Sequence, residues 1–133
     1  MPDLCPCCSK KKYRECCQPL HEGAFPENAL ALMRSRYSAY ALSLPEYIMR
    51  TTHPDHKDSQ LNKADWKAKI LDFSKSTQFL RLDIVDFTDG TEEAFVTFIA
   101  HLSQDKQPMQ LHEKSRFLKI GPQWLYRDAV FIT

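Results

Sequence analysis

The chain has 133 residues, 43% hydrophobic and 26% charged, which is enough apolar material for one packed domain and too much for a disordered chain. Eighteen basic against seventeen acidic residues leave a net charge of +1, so no overall field draws the protein to nucleic acid or to an anionic membrane. No run approaches the roughly 20 apolar residues of a membrane span, and residues 1–20 lack the apolar centre of a signal peptide, which points to the cytoplasm.

All five cysteines fall before residue 18, in the stretch CPCCSKKKYRECC. A disulfide framework spreads cysteines along the fold it staples, whereas clustering in a reducing compartment favours a metal. Cys5 and Cys7 form one close pair, Cys16 and Cys17 another, with eight residues between them. Zinc takes four thiolates tetrahedrally at about 2.3 Å, so two such pairs on a short loop close a site without help from the rest of the chain. Four protein thiolates leave no position for water, and the expected Zn2+ is therefore structural. Lys10, Lys11, Lys12 and Arg14 lie in the joining loop and can offset the excess negative charge. Cys8 is expected to be a bystander, with exchange for Cys7 as the alternative. His21 is an alternative to Cys17.

Pro19 to Pro26 reads as a linker between this knuckle, residues 1–20, and a domain spanning residues 26–133. Asn28 can cap a helix running to about Ser43, with Leu30, Met33, Tyr37, Tyr40, Ala41 and Leu44 at helical spacing. Pro45 ends it and opens a short helix over Glu46 to Arg50. His53-Pro54 then forces extended backbone, followed by a polar loop from Asp55 to Leu61. Asn62 caps a third helix whose apolar stripe is Trp66, Ile70 and Phe73. Beyond Ser76 the pattern becomes strands near Phe79 to Phe87, Ala94 to Leu102, Met109 to Ile120 and Trp124 to Phe131, with turn signals between them. Helices first and a four-stranded meander second is an α+β arrangement, and a strongly curved sheet of this kind forms a cone with a pocket.

Two segments put charge where apolar residues belong. In LMRSRYSAY, Arg34 projects into the arc of Leu30, Tyr37 and Ala41, while Arg36 falls on the flank and is expected half-exposed. In LHEKSRF, alternation sets Leu111, Glu113, Ser115 and Phe117 on one face and His112, Lys114 and Arg116 on the other. A buried guanidinium needs an anion, and the simplest expectation pairs Arg34 with Glu113. In a functional reading Glu113 or His112 is a general acid or base, walled by Tyr37, Tyr40, Trp124 or Tyr126. The candidate pocket residues are Arg34, Tyr37, Tyr40, His53, His112, Glu113, Arg116 and Trp124. His56 and His101 have no partner at diagnostic spacing and are expected at the surface.

The knuckle resembles the SEC-C motif of the bacterial preprotein translocase motor in its cysteine spacing, Pro6, Ser9, basic loop and Tyr13; it departs at Cys8 and Lys10, where that motif usually has glycine. Together with LMRSRYSAY, His53-Pro54, LHEKSRF and Trp124-Leu125-Tyr126, it makes the whole chain resemble the YchJ family. That resemblance implies a zinc motif joined to a domain similar to nuclear transport factor 2, a cone of curved sheet closed by helices. Three functions are compatible with it: an adaptor docking a protein partner through the knuckle; a small-ligand binder or an isomerase- or dehydratase-type enzyme using the cone; and RNA or ribosome binding through the basic loop.

Overall fold

A computed structural model describes residues 4–132. Short helix α1 (Gln18–His21) is followed by α2 (Ala29–Ala41), α3 (Pro45–Arg50) and α4 (Lys63–Ser76), and then by strands β1 (Thr77–Thr88), β2 (Glu93–Gln104), β3 (Gln107–Ile120) and β4 (Gln123–Phe131). The expected caps are in place. Asn28 Oδ1 accepts the Ala31 amide at 2.8 Å, and Asn62 Oδ1 accepts those of Ala64 and Asp65 at 2.9 and 3.3 Å. Pro45 occupies the first turn of α3, where its missing amide hydrogen costs nothing.

The strands form one antiparallel sheet in the order β1-β2-β3-β4. Asp105 and Lys106, both with positive φ, make the tight turn from β2 to β3, and Gly121 at φ 58° turns β3 into β4. Register shifts between Phe79 and Arg81, between Ile84 and Asp86, and between Arg116 and Phe117 mark irregularities that bend the strands. The curved sheet wraps α2 and α4, and its inner face joins Leu32, Tyr37, Ile48, Trp66 and Ile70 to Leu82, Val96, Phe98, Leu102 and Phe117 in a single core. Residues 51–53 lie along the free edge of β4, where the Tyr126 amide donates to Thr51 O at 2.9 Å and the His53 amide to Tyr126 O at 2.8 Å. That pairing covers part of an otherwise open edge.

The expected linker is not a free tether. Its first residues form α1, and its chain is tied to the helices behind it. Arg50 Nη2 donates to the carbonyls of Leu20 and His21 at 3.2 and 2.9 Å, closing the C-terminal end of α1. His21 Nε2 donates to Ser35 O at 2.8 Å, which leaves Nδ1 to accept from the Tyr13 hydroxyl at 2.6 Å. Arg34 Nη1 donates to Cys7 O at 2.8 Å, and the Leu82 amide of β1 donates to Cys8 Sγ at 3.4 Å. The knuckle is thus seated on α2 and on the edge strand β1. No helix among the described residues is long and apolar enough to cross a membrane.

Candidate metal centre and cone cavity

The ligand atoms of Cys5, Cys7, Cys16 and Cys17 all lie within 4.8 Å of one another. A tetrahedron with metal–sulfur bonds of about 2.3 Å has sulfur–sulfur edges of about 3.8 Å. Cys7 and Cys16 are 3.6 Å apart and Cys16 and Cys17 3.8 Å, so the cluster has the dimensions that a tetrahedral metal requires. Hydrogen bonds from Cys17 and Cys5 hold the Cys7 thiol far below the usual range, while those linking Cys17 to Cys5 and Cys7 hold Cys17 far above it. Four thiolates at this spacing need a cation to coexist. Ser9 Oγ, 3.1 Å from Cys16 Sγ, is an outer partner of the set. Lys10, Lys11, Lys12 and Arg14 are exposed, and none hydrogen-bonds a sulfur among the described residues.

Cys8 and Lys10 have φ of 67° and 71°, the left-handed region that glycine enters freely and other residues enter at a cost. These are the two positions at which the chain departs from the SEC-C pattern, and the turn geometry explains the usual glycines. Cys8 is not idle. Its sulfur accepts the Leu82 amide and donates at 3.6 Å to Pro6 O, so it fastens the knuckle to β1 instead of competing for metal. His21, bonded through both ring nitrogens, is outside the sulfur cluster.

The second site is a cavity of about 430 Å³ between the sheet and the helices. Its walls include Trp66, Ile70, Phe73, Phe98 and Phe117, and into it face Arg36, Tyr37, Tyr40, His56, Glu113 and Tyr126. The alternation expected of β3 holds. Leu111, Glu113, Ser115 and Phe117 line the cavity, while Arg116 on the opposite face grips Asp128 through two bonds of 2.9 and 2.7 Å.

The expected pairing of Arg34 with Glu113 does not form. Arg34 turns to the knuckle, and Arg36, expected on the flank, is the buried arginine, 9% exposed. The helix explains the exchange: two residues apart is about 200° of rotation, and α2 is enclosed by the knuckle on one side and the sheet on the other. His53 and His56 exchange roles as well. His53 is buried, its Nδ1 accepting the Asp55 amide at 3.0 Å, and it does not line the cavity. His56, expected at the surface, lines it with its ring 5.3 Å from Tyr126, and its Nδ1 accepts the Asp58 amide at 3.0 Å. Burial lowers its pKa, which favours the neutral ring with Nε2 protonated. The tandem His-x-Asp of HPDHKD is the signal that would have found this turn. Trp124 packs in the core two residues before Tyr126, and His112 and Arg116 lie off the cavity. Tyr37 and Tyr40 line the cavity.

Glu113 has no hydrogen-bond or ion-pair partner among the described residues, and burial raises its pKa above 4.5. The unfolded chain therefore releases this proton first, so the contribution to stability is complete below about pH 4.5 and is lost as pH rises through the folded value. Glu113→Gln is expected to raise the melting temperature near neutrality, with the gain vanishing in acid. Melting curves of both proteins across the acid-to-neutral range check this; parallel profiles would refute it.

Comparison with known proteins identifies both the cysteine motif and the fold behind it. The family profile described as "YchJ, middle NTF2-like domain" matches residues 28–129, and the SEC-C motif matches residues 1–19. A UPF0225 protein of Serratia proteamaculans is 39% identical over 97% of this chain and 84% of its own length, and one of Photorhabdus laumondii is 41% identical over 98% and 82%. Among solved structures, a SEC-C motif containing protein from Rhodopseudomonas palustris aligns with a TM-score of 0.83 at 30% identity, covering 97% of this chain and 98% of that one. With its cysteine cluster ahead of a helix-closed, curved sheet, the chain belongs to the UPF0225, or YchJ, family.

Proposed function

We propose that this protein binds a small organic molecule in its cone and uses a structural Zn2+ at Cys5, Cys7, Cys16 and Cys17 to hold the helical side of that cone in place. One observation carries the reading: the cavity of about 430 Å³ is walled by aromatic and aliphatic side chains yet contains Arg36 and Glu113, neither paired with an opposite charge among the described residues. Pockets that take small molecules have this volume and this mixture of apolar wall and a few convergent polar groups. A core built for stability alone would have filled the space or paired the charges. Glu113 and the Nε2 hydrogen of His56 are the groups it offers for proton transfer, the step on which isomerase or dehydratase chemistry depends.

The adaptor reading has less to support it. Part of the knuckle surface is taken up by contacts to α2, Arg50 and β1, leaving the exposed basic loop as its main free feature. Cavity binding is tested by screening fragments with ligand-observed NMR against the intact protein and against Ala100→Phe, which places a ring in the cavity from β2. Hits that bind the first and lose affinity for the second are expected. Hits that bind both equally would refute the cone as the site.

A further inference from the structure

The cone holds a charge that no protein anion offsets. Arg36 Nη1 donates to three neutral acceptors, Ile48 O at 3.1 Å, Thr51 Oγ1 at 2.9 Å and Thr52 Oγ1 at 3.1 Å. Its guanidinium carbon stands 4.6 Å from the centre of the Tyr126 ring, a favourable but uncharged neighbour. Among the described residues no carboxylate lies within ion-pair distance, and Nε and Nη2 have no acceptor. The residue is nine-tenths buried and lines the cavity.

A guanidinium keeps its proton, whereas a carboxyl can surrender its charge by taking one up. Glu113, a half-buried carboxyl of the cavity wall, is displaced in that direction by desolvation. Asp58, nearer solvent, is engaged by Lys69 at 3.3 Å. The obligatory charge inside the cone is therefore positive. Three neutral oxygens and an aromatic face hold the guanidinium in position without neutralising it, which is how an anion site is preorganised.

Building on the ligand-binding reading above, we propose that the ligand is a small organic acid: its carboxylate meets the Nε–Nη2 edge of Arg36, and its apolar body lies against Trp66, Ile70, Phe73 and Phe98. The two parallel donors of that edge match the two oxygens of a carboxylate, a geometry that a lysine ammonium does not offer. His56 Nε2 and the Tyr40 hydroxyl lie on the same cavity wall as neutral donors for further polar groups of the acid.

Benzoate, phenylacetate and hydrocinnamate, each beside its primary amide, are titrated calorimetrically into the full zinc-loaded protein. At least one acid is expected to bind about tenfold or more tightly than its amide, since a hydrogen-bonded charge contact contributes that much. Arg36→Lys keeps the charge but not the fork, and should reduce the ratio to about threefold or less. Lys75→Ala, which removes an exposed positive charge outside the cavity, should leave the preference intact. Equal affinity for acids and amides in the unmodified protein overturns the carboxylate assignment while the pocket reading stands. No binding by acids, amides or screened fragments overturns the pocket reading itself. An acid preference undiminished in both Arg36→Lys and Arg36→Gln overturns the role of Arg36. Should the arginine variants fail to fold, the acid-to-amide ratio of the unmodified protein still decides the ligand class.

Discussion

Cys7→Ser, or exhaustive chelation, is expected to unfold residues 4–20 and to lower the stability of the whole chain by about 4 kcal/mol. Structural zinc in small peptides contributes roughly 10–16 kcal/mol, almost all of it to folding of the peptide itself. What reaches the domain is the loss of the bonds that seat the knuckle: Arg34 to Cys7 O, His21 to Ser35 O, Arg50 to the end of α1, and the Leu82 amide to Cys8 Sγ. At about 1 kcal/mol for each such bond the sum is several kcal/mol, and Arg34 would keep its charge without its acceptor. Melting of the loaded and stripped protein, with zinc content measured by atomic emission, checks the expectation. Stoichiometric zinc with an unchanged melting temperature after its removal would show that the knuckle is seated without mechanical consequence. A purified protein that binds no metal at all would refute the centre outright.

Phe117→Ala is expected to cost about 3–5 kcal/mol and to lower the melting temperature by roughly 10–20 °C. Phe117 is 1% exposed, the largest fully buried side chain among the described residues, and it meets Tyr126 edge-on at 5.9 Å. It also lines the cone, so its removal enlarges the cavity and loosens the ring against which Arg36 stands. Ligand affinity should fall together with stability. Phe117→Leu, which keeps most of the volume, should restore most of both; calorimetric melting and the same titrations provide the comparison. A loss under about 1 kcal/mol for the alanine variant would mean that the site collapses freely and that the cavity is not rigidly walled.

The four-cysteine cluster, which could hold a metal, was legible because its members are close together in the chain. Cys5, Cys7, Cys16 and Cys17 are held by turns of a few residues, and the left-handed backbone at Cys8 and Lys10 falls where glycine is usual in the motif they resemble. The caps at Asn28 and Asn62 and the faces of β3 were equally legible, since each depends on neighbours within four residues. The cavity was only half visible. Glu113 was identified as a carboxyl among apolar residues, but the arginine facing the same space was not, because a projection of α2 assumes one buried side and one wet side. This helix has the knuckle behind it and the sheet in front. Leu32, Ser35, Arg36 and Ser38 are all buried, so no apolar arc marks the direction of the cone.

The chain alone determined that there is a four-cysteine knuckle, that helices precede a four-stranded antiparallel sheet, and that Glu113 faces inward. Each of these follows from periodicity or from spacing along a few residues. Tertiary packing decided that Arg36 and not Arg34 enters the cone, that His56 and not His53 lines it, and that Cys8 fastens the knuckle to β1. These choices depend on which surfaces meet across long separations in the chain. A charged side chain on a helix enclosed from two sides goes to whichever neighbour offers acceptors, and for Arg36 those acceptors are the carbonyl and hydroxyls at the end of α3.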